Sequence, residues 1–195
     1  MIDKLKLYIS AAPDLRLERD ALARAVAEIP TSLGFTITQT PASDREPDLD
    51  AVVEAHLHLL MIGSDIQAPV GLEWATARRN GKPVTLLYKS SALHTQAAHA
   101  FMRDLTKMGT WRAFGDTTQL RRQVLRLIVD HLLTQRVRYE IGEDEAATLR
   151  DWRKALDDTQ KRETGDVPSG ADESAVILTT ERFVPSGGKL LRGSP

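Results

Sequence analysis

Glu73 is the acidic side chain of this sequence whose surroundings best suit chemistry. It follows the apolar run Leu59-Leu60-Met61-Ile62, the loop Gly63-Ser64-Asp65 and the start of a helical pattern over Val70 to Arg79, so it is expected in the first turn of a helix. Backbone N–H groups at such a helix start can hold an anion. A carboxylate beside them can stabilise positive charge that develops on a bound substrate. A first-turn acid also serves the helix dipole and solubility, and spacing by itself leaves both roles open. Ser10, Ala11 and Asp14 follow the chain's first apolar run, Leu5 to Ile9, and offer hydroxyl, backbone and carboxylate groups on a second loop. Gly63 suits a close approach of backbone to a ligand and suits a tight turn equally.

Other combinations carry less. His56 and His58 stand at i and i+2, read as one face of a strand, with no carboxylate fixed beside them, so no metal site is expected. Glu18-Arg19 suits an ion pair within its helix or to a neighbouring one. Trp74 and Trp111 suit a core position and base stacking alike. A GxxxxGK[ST] loop is missing, and Gly187-Gly188-Lys189 lacks its spacing, which excludes a P-loop nucleotide hydrolase. The GxSxG elbow of α/β hydrolases is missing too.

The elements that would position these residues alternate along the chain. The expected strands are Leu5 to Ile9, Phe35 to Thr38, Leu59 to Ile62, Pro83 to Tyr88 and Trp111 to Phe114, separated by helix-length segments. Asp14 after Pro13 suits the N-cap of the first helix, and Asn80-Gly81 suits the close of the third. Strands joined by helices cannot pair as hairpins, so right-handed crossovers and a parallel sheet follow. The expected fold is α/β, a flavodoxin-like doubly wound five-stranded sheet in the order 2-1-3-4-5. Its ligand crevice lies beyond the carboxyl ends of strands 1 and 3, at the loops Ser10 to Asp14 and Gly63 to Pro69.

Residues 1–139 form the expected α/β domain. Residues 140–162 read as a charged C-terminal helix with Leu149, Trp152 and Leu156 on one stripe, fit to dock on the domain or on a partner. Residues 163–174 are rich in Gly, Pro, Ser and acid and read as a linker. Residues 175–195 read as a strand-like tail or the start of a truncated further domain. The sequence has 195 residues, 42% hydrophobic and 27% charged, which is globular rather than disordered. With 26 Lys and Arg against 27 Asp and Glu, there is no net field to recruit nucleic acid or an anionic membrane. There is no cysteine, no signal-peptide core and no bilayer-length apolar run, so a cytoplasmic protein is expected.

The opening Leu7-Tyr8-Ile9-Ser10-Ala11 with Asp14-Leu15, Glu18-Arg19 and Ala21-Leu22 resembles the start of the TIR-like domains labelled DUF4062. Leu60-Met61-Ile62-Gly63, Glu73-Trp74 with Ala77, and Gly81-Lys82-Pro83-Val84 continue the resemblance over roughly residues 5 to 133. It implies kinship with TIR and nucleoside-deoxyribosyltransferase domains, which break N-glycosidic bonds of NAD or nucleosides with a glutamate on the third helix. Departure of the base leaves positive charge on the ribose, which a carboxylate can stabilise or trap covalently. The resemblance thus implies Glu73 as the catalytic residue, with Ser10, Ala11, Asp14, Gly63, Ser64, Asp65 and Trp74 as substrate contacts. NAD is the implied substrate, and no cofactor is expected. Two departures stand out: Gln67 to Leu72 lacks the hydroxyl residues usual before the glutamate, and Ala11 replaces a usual second serine. The alternative is a non-catalytic module that self-associates and couples to a larger C-terminal sensor or ATPase in a multidomain assembly.

Overall fold

A computed structural model of the chain describes residues 4–41 and 45–165. Its sheet has five strands, β1 (Leu5–Ala11), β2 (Phe35–Gln39), β3 (Leu57–Ile62), β4 (Val84–Lys89) and β5 (Trp111–Phe114), in the order β2-β1-β3-β4-β5. Every pairing is parallel. The helices between them are α1 (Arg16–Val26), α2 (Leu49–Glu54), α3 (Ala68–Arg79), α4 (Gln96–Thr106) and α5 (Thr117–Thr134), with α6 (Glu143–Gly165) after the sheet. The doubly wound, flavodoxin-like order expected from the strand and helix alternation is therefore the one observed.

The two faces of the sheet follow the pleat, since successive strand side chains point to opposite sides. Leu5, Leu7, Ile9 and Ala11 of β1, with Leu57, Leu59 and Met61 of β3, face one way and pack with Leu22 and Val26 of α1 and Val124, Ile128 and Leu132 of α5. Tyr8 of β1 faces the other way against Val52 of α2 and Ala77 of α3, and Leu60 of β3 meets Val70 and Leu105. Central strands covered on both faces are apolar nearly throughout, and every residue of β3 is buried. That rule makes Tyr8, Ser10 and His58, all buried on the α2–α3 side, the residues to explain.

Two helix ends differ from expectation. Asp14 does not cap α1: a short 3-10 turn, Pro13–Leu15, precedes it, and the N-cap position is Leu15 with no side-chain cap. Helix α3 begins at Ala68, two residues earlier than expected, because proline is tolerated within the first turn of a helix. Glu73 is consequently in the second turn, and the first turn holds no acid. The close at Asn80-Gly81 is as expected, with Gly81 at φ +64°.

Helix α6 docks on its own domain. Ala146 and Leu149 are fully buried in the α1–α5 core, with Trp152 and Leu156 packed against it. The flanks are ionic: Arg153 to Asp130 at 2.7 Å and Arg126 to Asp157 at 3.0 Å. The Glu145 carboxylate accepts from the Thr31 hydroxyl at 2.6 Å and the Ser32 N–H at 2.7 Å, and the Thr31 bond, ahead of the Ser32 bonds, holds its pKa below the usual range. Residues 163–165, expected to begin a linker, are helical; the rest of that stretch and the tail 175–195 lie outside the described residues. Among the described residues, no helix is long and apolar enough to cross a membrane.

If α6 is part of the core, truncating its buried leucine must cost what a core leucine costs. Leu149→Ala should lower unfolding free energy by roughly 2 to 5 kcal/mol, while Leu17→Ala, 77% exposed on α1, should change it by less than about 0.5 kcal/mol. Urea unfolding of both variants checks this; equal, small effects would mean that α6 is held by its ion pairs alone.

Candidate functional site

Glu73 points inward, not toward solvent. Its exposure is 0%, and its carboxylate lies over the carboxyl-terminal half of β1. The Tyr8 hydroxyl donates to Oε1 at 2.8 Å, and the Thr40 hydroxyl donates to Oε2 at 2.7 Å. Thr40, just past β2, accepts the Ala11 N–H at 3.0 Å, so its single hydrogen is left for Glu73. The Ser10 hydroxyl also bears on the Glu73 carboxylate. Ser10 Oγ stands 2.7 Å from His58 Nε2, which joins β3 to the cluster.

Burial pushes the Glu73 pKa up. The hydroxyl bonds from Ser10, Thr40 and Tyr8 and the nearby Arg19 guanidinium work against that rise. Burial, reinforced by the Glu73 charge and hydrogen bond, also pushes the Tyr8 phenol well above its ordinary range, so Tyr8 remains a donor. Burial lowers His58 to about 4, which makes it neutral at physiological pH. His58 Nδ1 is buried without a hydrogen-bond partner. An orphan acceptor is better tolerated than an orphan N–H. Hydrogen-bond economy therefore assigns the proton to Nε2, so that His58 donates to Ser10, whose own hydrogen is left free to turn toward Glu73.

The other expected contacts form separate groups. The Asp14 carboxylate spans from the 3-10 turn to the β3–α3 loop, where Oδ2 accepts the Ser64 N–H at 2.6 Å and the Ser64 hydroxyl at 2.7 Å. It also explains Gly63: a Cβ there would lie 2.2 Å from Asp14 Oδ2 and 2.8 Å from Cγ, and Asp14 is too short to swing far. Asp65 accepts from the Thr95 hydroxyl ahead of α4 and from the Ile66 N–H, bonds that depress its pKa in that order. Ala11 turns its side chain into the α1–α5 core and reaches the cluster only through its N–H. Trp74 is not in the group. It packs edge to face on Phe101 at 5.5 Å, on the α4 side of α3.

Further readings are corrected by the backbone. His56 and His58 do not share a strand face, because His56 precedes β3 at a bend, where pleat alternation does not apply. His56 stacks edgewise on Tyr139 at 5.9 Å, while His58 does so on Tyr8 at 5.4 Å. No group of three or more metal-ligating side chains occurs among the described residues. Glu18 pairs neither within α1 nor with a helix: it accepts from Lys89 at the end of β4, at 2.8 Å. Arg19 donates to the Thr40 carbonyl at 2.8 Å, which bears on the Glu73 cluster from the other face.

Spacing missed Tyr8, Thr40 and His58. The available signal was polarity inside strands that a parallel sheet buries on both faces: Tyr8 and Ser10 are two apart, and Tyr8 is in register with His58. Neither the protein-family models, nor the curated proteins, nor the solved structures compared with this chain gave a match.

Two measurements probe this geometry. Gly63→Ala should destabilise by roughly 1 to 3 kcal/mol through its clash with Asp14, and in an Asp14→Ala background the same change should be nearly neutral; an additive double-mutant cycle would show that the glycine serves something else. The second concerns pH. Folded His58 takes up a proton only near pH 4, whereas an unfolded histidine does so near pH 6.5, so the unfolded chain binds more protons between those values. Stability from neutral His58 is complete above about pH 6.5 and falls by up to ~3 kcal/mol as the pH drops to 4. His58→Gln should flatten the pH 7 to 4.5 difference in urea-unfolding free energy; an unchanged difference would place the acid lability elsewhere.

Proposed function

We propose that this chain is a TIR-like effector domain that binds a nucleotide beyond β1 and β3 and breaks its N-glycosidic bond, with Glu73 as the catalytic group and NAD as substrate. One observation carries the reading: a buried acid on the third helix accepts the Tyr8 and Thr40 hydroxyls at the sheet end where doubly wound folds bind ligands. Acid placed only for the dipole would sit in the first turn, exposed, and Glu73 does neither. When the base departs with the bonding electron pair, the ribose carbon it leaves becomes electron-poor. The carboxylate stabilises that centre until water, giving its proton to solvent or to the departed base, completes hydrolysis. Ser64 and Asp65, on the loop above β3, are the proposed substrate contacts together with Ser10, in a cytoplasmic setting.

A second reading is favoured by the zero exposure of Glu73. A substrate can meet the carboxylate only if the Thr40 end of β2 or the start of α3 moves aside. In a non-catalytic self-associating module, the same cluster would simply fasten α3 to the sheet.

Concentrated protein is incubated with NAD, NADP and deoxynucleosides, and free base is followed by chromatography. Glu73→Gln should slow release on the order of 100-fold or more while nucleotide affinity stays within roughly tenfold, because the charge acts on the transition state. Equal rates in parent and variant would remove Glu73 from the chemistry. A parent inert at every concentration that still self-associates would establish the scaffold instead.

A further inference from the structure

We propose that the groove between α3 and α4 binds a small organic anion with a flat apolar body. The cavity there measures about 470 Å³, within the usual size of small-molecule sites. Trp74, Val84, Leu105 and Met108 give it an apolar wall, and Arg78 and Lys82 stand at its rim. No acidic residue lines it, and neither cation has a carboxylate partner among the described residues. The Arg78 guanidinium carbon lies 5.5 Å from the centre of the Trp74 ring, so aromatic surface and positive charge are presented together.

Cations in the last turn of α3 also complement the helix dipole, which accounts for Arg79 as well as for Arg78. The dipole does not account for the apolar wall, for half-exposed Met108, or for Lys82 beyond the helix end. The contrast with the basic cavity beside α5 is informative. There Arg112, Arg122 and Arg126 share their space with Asp130, and Arg126 is already paired with Asp157. Carboxylates stand among those cations, whereas none of the described residues lining the α3–α4 groove is acidic.

The site does not depend on Glu73 chemistry. Consecutive helical residues are turned by about 100°, so Glu73 faces β1 while Trp74 faces α4. Charge selects the occupant. An uncompensated cation pair beside an aromatic wall recognises a carboxylate, sulfonate or phosphate joined to a ring or a branched chain, and a neutral molecule of the same shape forgoes the charge-assisted hydrogen bonds.

The probe is 2-naphthoate, compared with neutral 2-naphthalenemethanol, and binding is followed by tryptophan emission and by the amide and indole resonances of the 15N-labelled protein. Naphthoate should saturate, shift the Trp74 indole and Leu105 resonances, and bind at least about tenfold more tightly than the alcohol, with affinity falling as salt rises. Arg78→Gln combined with Lys82→Gln should weaken it at least about tenfold with thermal unfolding unchanged. Equal affinity for acid and alcohol, an unaffected double variant, or shifts confined to residues outside the groove would overturn the assignment. So would a concentration-dependent dimer that Met108→Arg dissolves, because the groove would then belong to a second copy of the chain.

Discussion

A carboxylate withdrawn from water must be met by donors, and the donors that Glu73 requires come from most of the layers of the fold. Tyr8 and Ser10 belong to β1, Thr40 follows β2, and His58 on β3 reaches Glu73 through Ser10. Arg19 of α1 holds the Thr40 carbonyl from the opposite side. An ionised acid left alone in such a place would cost several kcal/mol, so removing any donor is felt by the others. The register of β1 against β2 and β3 and the seating of α3 are thereby bound to one another through a single side chain.

Above that cluster, the loops at the carboxyl ends of the strands are also tied. Asp14 links the β1–α1 connection to Ser64, Gly63 leaves room for its carboxylate, and Thr95 hydroxyl bonds Asp65 while its N–H reaches the Ser64 carbonyl at 2.9 Å. These are the loops that a doubly wound fold uses for ligands, and here they hold one another. Loops tied in this way keep their polar groups fixed in orientation. The same rigidity makes entry to Glu73 a conformational step, and the catalytic and scaffolding readings part at that step.

On the far face, the domain extends its core through α6 rather than through a larger sheet. Leu149 and Ala146 continue the α1–α5 apolar layer, and the ion pairs to Asp130 and Arg126 set the rotation of α6 about its axis. Exposed pairs of this kind add little energy each, so apolar burial is the main source of attachment. The opposite face is less complete. Between α3 and α4 the packing of Trp74, Leu105 and Met108 leaves a cavity that Arg78 and Lys82 line and no acid among the described residues does.

What the chain discloses in one dimension is what depends on neighbours a few residues apart. Alternating apolar runs and helical stripes dictate five strands and parallel pairing and make the observed sheet order the expected one, and the stripe Leu149, Trp152, Leu156 marks the face by which α6 docks. The same logic locates the loops Ser10 to Asp14 and Gly63 to Pro69 and puts Glu73 near the start of the third helix. It fails where a side chain's partner is remote. Asp14 looks like a helix cap until Ser64, 50 residues away, is seen to occupy it. His56 and His58 look like one face until the bend before β3 separates them. Glu73 looks like a first-turn acid until Tyr8 and Thr40, 65 and 33 residues distant, close around it. Periodicity is a local property of the backbone, whereas hydrogen-bond partnership depends on register and helix rotation, which only the packed sheet determines.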